Sequence, residues 1–209
     1  MPTILPLTDT SFYHLYPLGA LGAPRRNDLS SAPEPRLTRL GGWLDAMEGV
    51  GANALLLGPV FESESHGYDT LDYLSVDRRL GSNADLAALA SELDRRGLGL
   101  YLDAVFNHVG RAHPFVRDVS ARGLASPYAA WIAGYDPSGP GPGGLPFGYD
   151  GWKGHYDLVR LDTACEEVRE YLYGVALRWI GEYGISGLRL DAADCLDTGF
   201  MAELGRRCR

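Results

Sequence analysis

The sequence lacks several features that would place the protein in a membrane, in an oxidising compartment or on a nucleic acid. It contains no run of about 18 apolar residues, so no transmembrane helix is predicted. Its three cysteines are odd in number and match no CxxC spacing, which argues against a disulfide framework and a zinc site. The 19 basic residues are outnumbered by 27 acidic ones, and a net charge of −8 argues against nucleic acid or an anionic membrane as partner.

A secretory signal is also missing from the start of the sequence. Residues 1–7 show no basic segment ahead of an apolar stretch, so we expect a cytoplasmic location. The chain has 209 residues, of which 45% are hydrophobic, and this is enough to bury one sizeable core. The composition therefore predicts an ordinary globular protein built around a single core.

Short apolar runs alternate with helical patterns along the chain, which is typical of βαβ units and a parallel sheet. Strands are predicted at residues 12–16, 53–57, 99–106 and 187–192. Helical spacing of apolar residues predicts helices around residues 37–47, 86–93 and 168–179, and residues 200–209 begin another. Asn83 is the predicted N-cap of the second helix, and Gly97 its end.

Two stretches show no helical or strand periodicity. Residues 61–80 are predicted to form a long loop, and residues 109–162 a longer excursion that includes a Gly/Pro-rich segment at 134–146. A loop of this length inside a domain is usually functional or a small unit of its own. We therefore divide the chain into residues 1–108, an insertion at 109–165, and residues 166–209.

Four strands, three complete helices and the start of a fourth correspond to half of a (β/α)₈ barrel. A doubly wound sheet is the competing architecture. Such a sheet normally carries a GxGxxG loop after its first strand, and residues 17–24 do not match that pattern. The half-barrel is therefore the predicted α/β fold.

The last predicted strand carries two opposite charges on one face. Arg189 and Asp191 are two residues apart and point the same way, whereas Leu188 and Leu190 point to the opposite face. Burying an ion pair in a parallel sheet costs several kcal/mol per ion before its partners offset that cost. An internal pair that only fixes packing is one interpretation. The position at the carboxyl end of the strand, where barrel enzymes carry their chemistry, favours a functional one.

Three motifs resemble those of one enzyme family. Asp103-Ala-Val-Phe-Asn-His108 and Gly187-Leu-Arg-Leu-Asp-Ala-Ala193 are similar to two signatures of the α-amylase family of glycoside hydrolases. The sequence His-Gly-Tyr-Asp at 66–69, with the segment 77–82 after it, resembles the loop that follows the second barrel strand in that family. The resemblance implies a (β/α)₈ TIM-barrel fold with a domain B-like insertion after the third strand.

The resemblance also implies roles for individual residues. Asp191 corresponds to the nucleophile of a retaining mechanism, and Arg189 would favour its ionised form. Asp103 would brace Arg189, His108 would donate to a sugar hydroxyl, and Tyr68 would stack on the same sugar. Without the motifs, Tyr68 would be interpreted as surface packing and His108 as a structural histidine.

Cofactor expectations follow from the same comparison. In many relatives the position of Asn107 helps bind calcium through oxygen ligands. The second signature usually continues with Lys-His, but here the residues are Asp194-Cys195. We therefore predict no cofactor, with calcium near Asn107 as the alternative.

The family mechanism also needs a second carboxylic acid to protonate the leaving group. Glu182 and Glu203 fall on predicted helices rather than after a strand, and the sequence ends at Arg209 before the family's acid position. We expect an N-terminal half-barrel with open sheet edges that favour self-association. The predicted function is hydrolysis or transglycosylation of α-glucosidic bonds in α-glucans or maltooligosaccharides. The alternative is a catalytically inactive glucan-binding or structural half-barrel.

Overall fold

A computed structural model describes residue 4 and residues 6–209 of the chain. Residues 1–3 and 5 lie outside the described residues. They belong to the segment 1–7, from which no secretory signal was expected. The strands are β1 (Phe12–Leu15), β2 (Ala54–Leu57), β3 (Phe61–Ser63), β4 (Thr70–Val76), β5 (Gly99–Ala104), β6 (His108–Gly110), β7 (Gly151–Trp152), β8 (His155–Arg160) and β9 (Gly187–Leu190). The α-helices are α1 (Pro17–Ala20), α2 (Gly41–Gly49), α3 (Asn83–Arg95), α4 (Pro114–Arg122), α5 (Glu166–Tyr183) and α6 (Thr198–Arg207).

A parallel sheet organises these elements. Its four strands lie in the order β1-β2-β5-β9, and every neighbouring pair is parallel. The register sets Asp103 of β5 directly beside Arg189 of β9. The α/β fold with a parallel sheet is the predicted one, and the four predicted strands are confirmed with slightly different ends.

The two faces of this sheet differ in burial. Leu57 and Leu102 point to the helix-covered face and belong to a core that also contains Trp179 of α5. On the other face, Phe12 is 43% exposed. Tyr101 packs edge-on against the Phe12 ring, with the ring centroids 4.8 Å apart. The second face of the described half-barrel is thus only partly covered.

The second predicted helix is confirmed as α3, but its cap differs from the prediction. Ser82 is the N-cap: its hydroxyl accepts from Asp85 N, and the Asp85 carboxylate accepts from Ser82 N at 2.8 Å. Asn83 instead lies in the first turn, where its side chain donates to Leu74 O and accepts from Val76 N. The prediction was wrong because a reciprocal Ser/Asp capping box satisfies two backbone donors and the Asn83 amide ties the helix to β4.

The two stretches predicted to lack regular structure both contain some. Residues 61–80 include the antiparallel hairpin β3–β4, and the insertion contains α4 and a three-stranded antiparallel sheet in the order β6-β8-β7. Three of these strands have only two or three residues, and neither β4 nor β8 alternates strictly between apolar and polar positions. Helix α4 begins with His113 as N-cap and Pro114 as its first residue. Proline at the first helical position is a helix-start signal, but no long periodic pattern follows it in the sequence, so the helix was not predicted.

Among the described helices, none combines the length and the hydrophobicity that crossing a membrane requires.

Candidate active site

The guanidinium of Arg189 lies between two carboxylates at the carboxyl ends of β5 and β9. Its Nη1 is 2.8 Å from Oδ1 and 3.0 Å from Oδ2 of Asp103, and 2.8 Å from Oδ1 of Asp191. Asp191 follows β9 directly, and its backbone N donates to Ala104 O at the end of β5. Adjacent parallel strands therefore bring the three charged groups together, as the i, i+2 spacing and the barrel hypothesis require.

The three charged residues differ in burial. Asp103 is 3% exposed, whereas the side chain of Arg189 is 46% exposed and that of Asp191 is 14% exposed. Burial raises the pKa of Asp103, and the hydrogen bonds and charge of Arg189 oppose that increase. The expectation of a buried Arg189–Asp191 pair was thus too strong, because among the described strands β9 has β5 as its only neighbour.

Tyr68 approaches this cluster from the turn between β3 and β4. Its hydroxyl donates to Asp103 Oδ2 at 3.3 Å. Burial, followed by the charges of Asp103 and Asp191, raises the pKa of Tyr68 to about 12. Tyr68 therefore stays protonated at neutral pH and remains a hydrogen-bond donor.

The turn that carries Tyr68 is held from both sides. Asp69 Oδ1 accepts from the backbone N of His66 and of Gly67, at 3.1 and 3.2 Å. Below the turn, the buried Arg79 donates to Ser65 O at 2.7 Å and binds Asp77 Oδ2 at 2.6 Å. The segment after Tyr68 in the family-like motif thus acts as a support for the turn.

His108 begins β6 and is 1% exposed. Burial lowers its pKa to about 4, and the charge of Asp191 opposes that decrease. The ring is therefore neutral at pH 7. Its Nδ1 is 3.1 Å from the amide nitrogen of Asn107, which can only donate, so the network assigns the ring hydrogen to Nε2.

A cavity of about 300 Å³ joins the predicted residues. The structure brings together Tyr68, His108 and Asp191 in its walls, while Asp103 lies beside it and braces Arg189. Sequence reasoning missed the remaining lining side chains: His66, Trp152, His155, Asp157 and Leu158. His66 was part of a recognised motif without a role, and the others come from the short β7–β8 hairpin, where no periodic signal exists.

Asn107, near which calcium binding is the alternative expectation, is engaged in hydrogen bonds. Its backbone O accepts from Leu161 N at 2.9 Å, and its side-chain nitrogen faces His108. Within residues 6–209 no group of three or more His, Cys, Asp or Glu side chains is arranged to hold a metal ion.

The two glutamates nearest in sequence to Asp191 are bound elsewhere. Glu182 of α5 accepts from Arg178, and Glu203 of α6 accepts from Arg206 and Arg207. Hydrogen bonds from these two arginines lower the pKa of Glu203 to about 2. A general acid needs a raised pKa, so Glu203 does not fit that role, and Glu182 is paired with Arg178 on the outer helix α5.

Comparison with known proteins identifies the family. The sequence model described as the α-amylase catalytic domain matches residues 40–203, which is more than half of the chain. An intracellular maltogenic amylase of Bacillus subtilis is 41% identical over 161 residues, covering 75% of this chain and 26% of the relative. A cyclomaltodextrinase of a Bacillus species is 33% identical over 212 residues, covering 95% of this chain and 38% of the relative.

Solved structures of glycoside hydrolases are also similar to this chain. The cyclic α-maltosyl-(1→6)-maltose hydrolase of Arthrobacter globiformis, in complex with its cyclic sugar, superposes with a TM-score of 0.81 and 31% identity, covering 97% of this chain and 48% of that one. The chain therefore spans between about a quarter and a half of the proteins it matches. The motifs, the sheet and these similarities together show that the chain belongs to the α-amylase family of glycoside hydrolases.

Proposed function

We propose that the chain carries the nucleophile half of a retaining glycosidase or transglycosylase site for α-glucosidic bonds. The observation that supports this most is the placement of Asp191 in the wall of a cavity, with one carboxylate oxygen fixed by Arg189. That hydrogen bond occupies Oδ1, which leaves Oδ2 to attack an anomeric carbon. The substrate would be a maltooligosaccharide or another α-glucan.

The proposed chemistry is a double displacement. Asp191 attacks the anomeric carbon through an oxocarbenium-like transition state and forms a covalent glycosyl-enzyme, which water or a second sugar then resolves with retention. The guanidinium of Arg189 donates to one oxygen of the Asp191 carboxylate, and Asp103 holds the guanidinium in place. Tyr68 would stack on the sugar being cleaved, and His108 would donate from Nε2 to one of its hydroxyls.

A retaining pair of carboxyl groups is separated by about 5 to 5.5 Å, so the acid has to come close to Asp191. Neither Glu182 nor Glu203 is free for that role, because each binds arginines on its own helix. We therefore propose that the 209-residue chain by itself cleaves only substrates whose leaving group needs no proton. A glucan-binding half-barrel without catalysis is the second candidate, and it is favoured by the same occupied glutamates.

Substrate class and location are inferred from relatives. Proteins named maltogenic amylase and cyclomaltodextrinase support short α-glucans as substrates. The Bacillus subtilis relative is named as intracellular, which supports a cytoplasmic location.

Self-association is part of the proposal. The sheet ends at β1 on one side and at β9 on the other. Each of these two edge strands has a single neighbour among the described strands. An apolar cavity of about 270 Å³ lies beside β9, lined by Leu188, Leu190 and Met201 among others. Unpaired sheet edges and exposed apolar surface both promote association.

Fluoride release from α-glucosyl fluoride tests the nucleophile, since fluoride leaves without protonation. We expect slow release by the 209-residue chain, loss of release in Asp191→Asn, and no change in the control Asp45→Asn on the outer helix α2. Maltotriose should not be cleaved, because general acid catalysis typically contributes a factor of about 10² to 10⁴. Release by Asp191→Asn at the unsubstituted rate would exclude Asp191 as nucleophile, and no release by either protein would favour the non-catalytic candidate.

A further inference from the structure

The cavity beside Asp191 has one wall that the family-like motifs do not contribute. This wall is the β7–β8 hairpin, whose side chains Trp152, His155 and Asp157 line the same space as Tyr68 and His108. Trp152 stacks on His155 with ring centroids 5.5 Å apart, and its indole lies 5.7 Å from the ring of His108. The hairpin therefore stands directly over the residues proposed to bind sugar.

One polar atom in this wall is buried without a hydrogen-bond partner among the described residues: Trp152 Nε1. The indole nitrogen can only donate. The neighbouring ring of His108 differs, because it forms a hydrogen bond with the backbone of Tyr68. Leaving a buried donor unsatisfied is unfavourable, and a ligand rich in hydroxyl oxygens would satisfy the indole N–H.

The turn that carries Trp152 is attached to the loop that follows the nucleophile. Lys153, which adopts a left-handed conformation with φ of 47°, extends its Nζ to 2.7 Å from Asp194 Oδ2. Lys153 is the only lysine in the sequence. Its Nζ also lies 5.7 Å from the centre of the Trp152 ring. The ion pair thus connects the hairpin to a residue three positions after Asp191.

We propose that Trp152 is a substrate-binding residue whose indole N–H donates to a hydroxyl of the bound glucan, and that the Lys153–Asp194 ion pair positions it. This inference rests on the proposed function, because it assumes that sugar enters the cavity beside Asp191. Trp152 and His108 both line the cavity into which the sugar would enter. The ion pair attaches the turn that carries Trp152 to the loop after the nucleophile.

The first test uses maltotriose and the isotope-labelled 209-residue chain. The sequence contains four tryptophans, so the indole N–H resonances form a small set in which Trp152→Phe identifies Trp152. We expect the Trp152 resonance to move on addition of maltotriose, while that of Trp43 on the outer helix α2 stays in place. A Trp152 resonance that does not respond at saturating maltotriose, or a chain that does not bind maltotriose, would overturn the inference.

The second test is affinity. Trp152→Phe keeps an aromatic ring but removes the donor, and it should weaken maltotriose binding roughly 2- to 12-fold, the range of one net hydrogen bond. Trp43→Phe is the matched control and should bind as the unsubstituted chain does. Equal affinity of the unsubstituted chain and Trp152→Phe would overturn the role of Trp152.

The third test addresses the positioning by Lys153. Lys153→Asp and Asp194→Lys should each weaken maltotriose binding, and the double substitution, which restores opposite charges, should recover it. Failure of the double variant to recover would remove the positioning role.

The outcomes also separate this inference from the proposed function. Fluoride release that depends on Asp191, combined with unchanged affinity in Trp152→Phe, would reject the inference alone. Weaker binding in Trp152→Phe, combined with fluoride release that does not depend on Asp191, would reject the nucleophile alone.

Discussion

Asp103 accepts both of its charged hydrogen bonds from a single nitrogen, Nη1 of Arg189, at 2.8 and 3.0 Å. The carboxylate is buried whereas the guanidinium is nearly half exposed, so Arg189 compensates a charge that water does not reach. The same nitrogen contacts Asp191, which makes the position of the nucleophile dependent on a buried group one strand away. The stability of the site and its chemistry are therefore coupled through Arg189.

Arg189→Met should test this coupling. The substitution leaves the buried Asp103 carboxylate without its cation, and we expect a loss of about 1–3 kcal/mol of unfolding free energy at pH 7. Burial already raises the pKa of Asp103, and removal of Arg189 should raise it further. Because Asp103 then binds its proton more readily when folded, the loss should shrink as the pH falls toward 4.

Urea unfolding at pH 7 and pH 4.5 measures both parts of this prediction. Asp103→Asn added to Arg189→Met should recover part of the stability at pH 7, because it removes the uncompensated charge. A loss that is the same at both pH values would show that Asp103 is not the group affected.

Two buried histidines should make the protein sensitive to mild acid. Burial lowers the pKa of His108 to about 4 and that of His113 to about 3, against about 6.5 in an unfolded chain. Both bind protons more weakly in the folded state, so their contribution to stability is complete above pH 6.5 and is lost as the pH falls toward 4. Each should add a slope of up to about 1.4 kcal/mol per pH unit in that window.

His113→Asn offers a clean measurement of this slope. Asparagine retains an acceptor for Phe115 N, which His113 Nδ1 binds at 3.2 Å at the start of α4, but it does not titrate. Between pH 5.5 and 4.5, urea unfolding should show a smaller slope for this variant than for the unsubstituted chain. An equal slope for the two proteins would contradict the role given to His113.

Gly187 shows how close packing restricts one position of the nucleophile strand. A Cβ atom at Gly187 would lie 2.5 Å from Cε1 and 2.8 Å from Cδ1 of Tyr101, whose ring is held by Phe12. Gly187→Ala should therefore cost about 1–3 kcal/mol in unfolding free energy. Gly174→Ala, in the middle of α5 with open space around it, should instead stabilise the chain by about 0.5–1 kcal/mol. Similar midpoints for the two variants in thermal unfolding would contradict the packing argument.

How far the sequence predicts this structure depends on the range of the interactions involved. The four parallel strands could be predicted because Leu55 and Leu57, or Leu100 and Leu102, form apolar runs long enough to indicate buried strands. The meeting of Asp103 and Arg189 could be predicted as well, since both occur at carboxyl ends of parallel strands. The cavity wall formed by the β7–β8 hairpin could not be predicted. Strand β7 has only two residues, and its position depends on pairing with β8 and on the contact between Lys153 and Asp194.

The sheet edges should make the isolated chain associate. Met201 of α6 lines the apolar cavity beside β9, whereas Leu177 of α5 is 44% exposed and does not line that cavity. Sedimentation velocity over a range of concentrations should show oligomers of the unsubstituted chain, because open edges and apolar surface favour contact between copies. Met201→Lys should shift the distribution toward monomer by placing a charge in the cavity, and Leu177→Lys should not. A monomer at every concentration, or equal shifts in both variants, would exclude association through the β9 edge.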